Sequence, residues 1–161
     1  MVIWVIGLSG SGKSFLANKI YMELLKKNKK TICLDGDEIR KYITYDLGYS
    51  VNDRKKNSKV ISDLCKLFET KGFIVVCSIL SIFKDHQKNN RIKFKKYMQI
   101  YIRSNLDKLI KTNINKVYHI KKDVVGNDIN FPKPYKSDFI IERSDKSKYL
   151  QVFRKIISMV K

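Results

Sequence analysis

The sequence predicts an α/β protein, one domain on a doubly wound, five-stranded parallel sheet with helices on both faces. Three observations carry that prediction. The stretch Gly7-Leu8-Ser9-Gly10-Ser11-Gly12-Lys13-Ser14 reads G-x-x-x-x-G-K-S, with an apolar run, Val2 to Ile6, before it and an amphipathic segment, Phe15 to Leu25, after it. This is the strand–loop–helix setting in which such a loop, a P-loop, cradles phosphate. Strand-like and helix-like runs then alternate to the end of the chain. At 161 residues and 43% hydrophobic content, the chain suits one domain with a sizeable core.

The elements follow in order. Val2–Ile6 is continuously apolar, as a central parallel strand covered on both faces must be. Lys13 to Lys27 forms the first helix, with Leu16, Ile20, Met22, Leu24 and Leu25 on its buried side. Thr31-Ile32-Cys33-Leu34 is the second strand and ends at Asp35-Gly36-Asp37. Glu38 to Ile43 is a short helix, and Asp46 to Ser50 a turn that presents an aromatic. Asn52 to Lys71 is a long helix with Val60, Ile61, Leu64, Leu67 and Phe68 as its buried stripe. Phe73–Cys77 is the third strand, and Ser78 to Ser81 a loop with two hydroxyls at the same sheet edge. A polar helix over Lys84 to Lys96 leads to a fourth strand, Tyr97 to Ile102, and a helix from Leu106 to Ile110. Thr112 to Tyr135 has weak periodicity and contains Gly126, Pro132 and Pro134, so it reads as the natural lid of a phosphotransferase. Ser137 to Ile141 is the fifth strand, and Lys146 to Val160 an amphipathic closing helix.

The chemistry of the loop follows from its composition. Gly7, Gly10 and Gly12 let the backbone bend so that successive N–H groups, including those of Ser9 and Ser11, turn toward phosphate oxygens. The helix N-terminus adds its partial positive charge. Lys13 reaches the β- and γ-phosphates and the Ser14 hydroxyl holds Mg²⁺, so ATP and Mg²⁺ are the expected cofactors. Asp35 stands at the carboxyl end of a strand, where open α/β sheets bind ligands. It polarises a substrate hydroxyl, accepts its proton or holds a Mg²⁺ water. Asp37 either binds substrate or caps the next helix. Arg54 and Asn57 lie one turn apart and face one ligand, unless Arg54 is a solvated helix charge.

Bulk properties set further bounds. The net charge of +19 admits a nucleic-acid or membrane surface, but the lysines are spread along most helices, so a generally basic surface that attracts small polyanions is the better account. No nucleic acid and no membrane is therefore expected as a partner. The longest apolar run, Phe73 to Phe83, is too short to span a bilayer, and no signal peptide precedes the first strand. Cys33, Cys65 and Cys77 lack metal-like spacing and read as buried reduced thiols, which points to the cytoplasm. His86 and His119 read as surface residues.

Taken together these blocks resemble the adenylylsulfate kinase family, whose members phosphorylate the ribose 3′-hydroxyl of adenosine 5′-phosphosulfate. The family's GLSGSGK[ST] is met by Gly7–Ser14 and its LDGDxxR by Leu34 to Arg40. Its DLGFSxxDRxxN is met by Asp46 to Asn57, with Tyr49 in place of Phe. The resemblance implies that Lys13 and Ser14 serve the ATP phosphates and Mg²⁺, and that Asp35 is the catalytic carboxylate and a metal group. It implies that Asp37, Arg40, Tyr49, Arg54 and Asn57 hold the acceptor nucleotide, with Ser78, Ile79 and Leu80 beside it, and that the protein is a homodimer. The departures are as informative. The family's SFISP[FY] has become Ser78-Ile79-Leu80-Ser81-Ile82-Phe83, and of RDPKGLYKKA only Tyr118 clearly remains within Thr112 to His119. FTGID has become Val124-Val125-Gly126-Asn127-Asp128, so the second aromatic face around the acceptor base is lost. The family's N-terminal extension is also missing. These changes favour a smaller base, as in the related cytidine diphosphoramidate kinases of bacterial capsule biosynthesis, with adenylyl sulfate as the alternative acceptor. A third reading is a nucleic-acid-binding protein with a vestigial loop; the joint presence of Lys13, Asp35 and Arg54 argues against it.

Overall fold

The computed structural model describes residues 1–27, 29–112, 117–120 and 122–160. In chain order these form β1 (Val2–Gly7), α1 (Lys13–Lys26), β2 (Thr31–Asp35), α2 (Gly36–Tyr42), α3 (Val51–Thr70) and β3 (Ile74–Ile79). There follow α4 (Lys84–Lys93), β4 (Tyr97–Arg103), α5 (Leu106–Thr112), α6 (Val117–Ile120), β5 (Phe139–Glu142) and α7 (Lys146–Met159). The five strands make one parallel sheet in the order β2-β3-β1-β4-β5.

The centre of the sheet explains the apolar run at the start of the chain. Strand side chains alternate between faces, and β1 is covered on both. Ile3 and Val5 pack with Leu16, Ala17, Ile20 and Leu24 of α1 and Val152 and Ile156 of α7. Val2, Trp4 and Ile6 pack on the opposite face with Ile61 and Cys65 of α3 and Val75 and Cys77 of β3. Because β3 and β4 flank β1 on its two sides, chain order reverses there. Open parallel sheets bind ligands at that point, beyond the strands' carboxyl ends. The phosphate loop leaves β1 at this edge.

Several details differ from the sequence reading. Met22 and Leu25 are exposed, because the buried arc of α1 runs Leu16, Ala17, Ile20, Leu24 and leaves them on its outer side. Leu67 is exposed for the same reason on α3. Ser78 and Ile79 belong to β3 rather than to a loop, since Ser78 pairs with both Asp35 and Val5 in the ladder. His86 is half-buried: its Nδ1 lies 3.1 Å from Ser58 Oγ and its ring 5.3 Å from that of Phe83. The side chain of His119 lies outside the described residues. Cys65 and Cys77 are buried and Cys33 is half-buried, all three free. Among the described residues no helix is long and apolar enough to cross a membrane.

Residues 112–135, weakly periodic in sequence, contain the short α6 and a turn closed by a bridge between Val125 and Ile129. Two buried glutamines hold the far end of this stretch. Tyr135 N–H donates to Gln87 Oε1 over 2.6 Å, and its carbonyl accepts from Gln99 Nε2 over 2.7 Å. Leaving these backbone groups unpaired inside the protein would be costly, which accounts for buried glutamine at both positions.

Candidate active site

The phosphate loop is shaped by what its glycines avoid. A Cβ on Gly7 would lie 2.4 Å from Ser11 Oγ and 3.2 Å from the Ile102 carbonyl, so a side chain there would have to displace the Ser11 hydroxyl. Gly10 and Gly12 adopt φ of 74° and 93°, a left-handed conformation that other residues reach only with strain. Gly12 precedes α1, whose first turn has no acidic residue and no side-chain cap. Its N–H groups are therefore available to an anion. The Ser11 hydroxyl is buried without a hydrogen-bond partner among the described residues, as expected of a cradle built for phosphate oxygens. Lys13 Nζ lies 3.5 Å from the Leu8 carbonyl. Burial lowers its pKa, and the charges of Asp37 and Asp35 only partly offset this.

Asp35 is the hub between the loop and the rest of the site. Its Oδ2 accepts from the hydroxyls of Ser14 at 2.7 Å and Ser78 at 2.5 Å, while Oδ1 accepts from Asp37 N–H at 2.9 Å. Burial by itself raises this carboxyl's pKa. The Ser78, Ser14 and Asp37 hydrogen bonds, with the charge of Lys13, outweigh burial and hold it below its ordinary value. Asp35 also caps α2, so the capping role weighed for Asp37 belongs to its neighbour, and Asp37 is left exposed at the cleft. Ser14 and Asp35 present hard oxygens side by side. Among the described residues no group of three or more His, Cys, Asp or Glu gathers elsewhere into a metal cage. Such a pair fits Mg²⁺, which takes few protein ligands and completes its octahedron with phosphate oxygens and water.

Nine of the residues singled out from the sequence line one small cleft: Lys13, Asp35, Asp37, Arg40, Arg54, Asn57, Ser78, Ile79 and Leu80. A wider recess of about 330 Å³ adjoins it, where Tyr49 joins Ser9, Lys13, Arg54, Val124 and Val125. The guanidinium carbons of Arg40 and Arg54 lie 4.9 and 5.4 Å from the Tyr49 ring centre. Arg40 donates to the Gly48 carbonyl, and Arg54 to the carbonyls of Tyr49 and Asp123, each at 2.9 Å. Burial, then the like charge of Arg40, lowers the Arg54 pKa. Two cations held this close are ready for an anion. Asn57 is buried and accepts from Thr44 Oγ1 at 2.6 Å, so its side chain also braces α3 against the turn before it. Val124 is only 3% exposed and offers the recess little surface.

Two contacts escape sequence reading. Thr44 carries no motif. Tyr118 donates to the carbonyl of Ser9 over 2.9 Å, across 109 residues, and its surroundings in sequence give no sign of this. The match of Thr112 to His119 to the nucleotide-contacting block lies in part outside the described residues.

Comparison with known proteins shows the family. The family described as adenylylsulphate kinase matches residues 1–142. An adenylyl-sulfate kinase of Prochlorococcus marinus is 37% identical over 150 residues, 88% of this chain and 74% of that protein. A probable adenylyl-sulfate kinase of Bacillus subtilis is 39% identical over 108 residues, 66% of this chain and 55% of the relative, so the match spans about half of that protein. The solved structure of Mycobacterium tuberculosis APS kinase CysC, in complex with AMPPNP and APS, superposes with a TM-score of 0.89 at 25% identity, covering 99% of this chain and 96% of that one.

Proposed function

The chain belongs to the adenylylsulphate kinase family, whose cofactors are ATP and Mg²⁺, and we propose that it transfers the γ-phosphoryl group of ATP to the ribose 3′-hydroxyl of adenylyl sulfate. The observation that carries this reading is the convergence of Lys13, Asp35, Arg40 and Arg54 on one cleft beside the phosphate loop. Lys13 and the loop N–H groups meet the charge of the transferred group. Asp35, ionised and aimed by three hydrogen bonds, orients the acceptor hydroxyl or takes its proton. Arg40 and Arg54 hold the acceptor's anionic end, where a guanidinium fork suits paired oxygens. Residues 112–135 serve as the lid that keeps water from the phosphoryl group. Mg²⁺ held by Ser14 and Asp35 supplies further neutralisation of the phosphates.

The sequence departures favoured a cytidine diphosphoramidate acceptor, but the named relatives give adenylyl sulfate first place. One observation keeps the cytidine reading as the second. Val124, at the position of the family's second stacking aromatic, is buried and aliphatic, so no aromatic ring stands at that position for an acceptor base. Losing one stacking face costs about 1–3 kcal/mol in comparable base sites. An ADP-release assay with ATP, Mg²⁺ and the two acceptors side by side decides. Preference for adenylyl sulfate sustains the first reading, preference for cytidine diphosphoramidate replaces it with the second, and silence with both sinks each.

A further inference from the structure

The turn between α2 and α3 inverts the usual pattern of burial. Ile43 and Tyr45 are exposed, Tyr45 by 80%, while Thr44 between them is only 6% exposed. Apolar burial does not explain why the hydroxyl goes inside, and a buried polar group needs its own account. Hydrogen bonds supply it. The Thr44 N–H donates to the Ile39 carbonyl, and the Thr44 carbonyl accepts from the Leu47 N–H, each over 3.0 Å. The hydroxyl donates to Asn57 Oδ1 over 2.6 Å. Thr44 is therefore tied by its backbone to the end of α2 and by its side chain to α3. Asn57 is buried as well, and it lines the cleft with Arg40 and Arg54.

We propose that Thr44 is a positioning residue for the acceptor: by occupying the Asn57 oxygen, it turns the Asn57 N–H donors toward the acceptor's anionic end. This rests on the reading of the cleft as the acceptor site. An amide side chain has two unlike ends, an oxygen that accepts and an NH₂ group that donates. A cleft that receives an anion needs the donating end. The guanidinium groups of Arg40 and Arg54 work against this, because cations attract the amide oxygen. Thr44 holds that oxygen on the far side, so the NH₂ group is the end left for the cleft. Thr44 does not itself line the cleft and acts only through Asn57. Without the hydroxyl, the Asn57 oxygen loses its buried partner. Turning the amide over would then aim that oxygen at the two guanidinium groups, where it meets an incoming anion with its negative end.

The test compares Thr44→Val, which keeps the shape and removes the hydroxyl, with Thr44→Ser, which keeps the hydroxyl. ADP release gives KM for ATP and for the acceptor, adenylyl sulfate or, where only that is turned over, cytidine diphosphoramidate. Thr44→Val is expected to raise KM for the acceptor about two- to twelvefold, the scale of one hydrogen bond, with KM for ATP unchanged. Thr44→Ser is expected to stay near wild type. In an Asn57→Ala background Thr44→Val should change neither value further, because a residue that acts through another has nothing left to act on. If Thr44→Val raises both KM values alike, or raises the acceptor's without the Asn57 amide, Thr44 is structural support and the positioning role is overturned. Asn57→Asp tests the orientation with Thr44 intact: it keeps an oxygen for Thr44 and exchanges the donors for a second oxygen. It is expected to raise KM for the acceptor about tenfold or more, and an unchanged value overturns the orientation. If the wild-type protein phosphorylates neither acceptor, the acceptor reading fails and takes the positioning role with it.

Discussion

The Ser14 hydroxyl donates to Asp35 Oδ2 over 2.7 Å, joining the residue that ends the phosphate loop to the residue that ends β2. A group that binds donor phosphates and a group proposed to handle the acceptor hydroxyl are thereby held as one unit. Asp35→Asn keeps the shape and removes the charge. We expect kcat to fall by about 10²–10⁴-fold, the range of a lost general base, with affinity for ADP in Mg²⁺-free buffer nearly unchanged. Coupled ADP release and calorimetry with ADP check this. Loss of ADP binding in a folded variant would move Asp35 from the acceptor's side of the reaction to the donor's.

Ser78 contributes most to keeping Asp35 ionised. A carboxyl whose folded pKa lies below its unfolded value stabilises the fold above that unfolded value, and the benefit is lost as pH falls through the folded one. The wild-type enzyme therefore has no acid limb from Asp35 near neutrality. Ser78→Ala removes one charge-assisted hydrogen bond to the carboxylate and so raises the Asp35 titration. The acid limb of kcat/KM is expected to move up accordingly. An unmoved limb in a variant with lowered kcat would mean that Ser78 acts on the substrate instead.

Much of this site is legible in the sequence because its parts are local. The loop is contiguous, the caps lie within a few residues, and Arg54 and Asn57 share a helix turn. The parallel five-stranded sheet and the burial of β1 follow from one apolar run and from alternation, whereas the order of the strands is seen only in the structure. What escapes is of another kind. Met22 and Leu25 are as apolar as Leu24, and only the direction in which α1 meets the sheet leaves them outside. Nothing in the polar run of α4 or the alternation of β4 marks Gln87 and Gln99 as the residues that pair with the backbone of Tyr135. Tyr118, in α6, meets Ser9 across 109 residues of sequence. Contacts between segments far apart in sequence leave no periodic trace.

Lys13 illustrates a conflict between function and stability. Its folded pKa lies below the ordinary 10.5, with burial as the leading cause. The protonated lysine therefore costs the ligand-free fold stability, and that cost is relieved as pH rises through the folded pKa toward 10.5. Lys13→Met is expected to abolish turnover while raising the Tm of the ligand-free protein at neutral pH. The Tm gain should shrink in alkaline buffer, where the wild-type lysine is already neutral. A variant less stable than wild type at pH 7 would show that the Asp35 and Asp37 charges outweigh burial.

Tyr118 reaches the phosphate loop from 109 residues away in sequence, and its effect there follows from peptide geometry. In a trans peptide the carbonyl and the next N–H point in opposite directions. Holding the Ser9 carbonyl from one side therefore aims the Gly10 N–H to the other. Gly10, at φ 74°, has the freedom to let that peptide turn over. Burial raises the Tyr118 pKa, so the hydroxyl stays a donor well into alkaline pH. Its ring packs against a small cluster of Leu8, Leu109 and Val125. Tyr118→Phe keeps that packing and removes only the hydrogen bond, whose net worth is about 0.5–1.5 kcal/mol. ADP affinity is expected to drop about two- to twelvefold, with a Tm loss of no more than a few degrees. Calorimetry and a thermal melt of the same sample separate the two effects. Equal losses of affinity and stability would make Tyr118 a packing residue, and unchanged affinity would show that the glycines alone hold the loop.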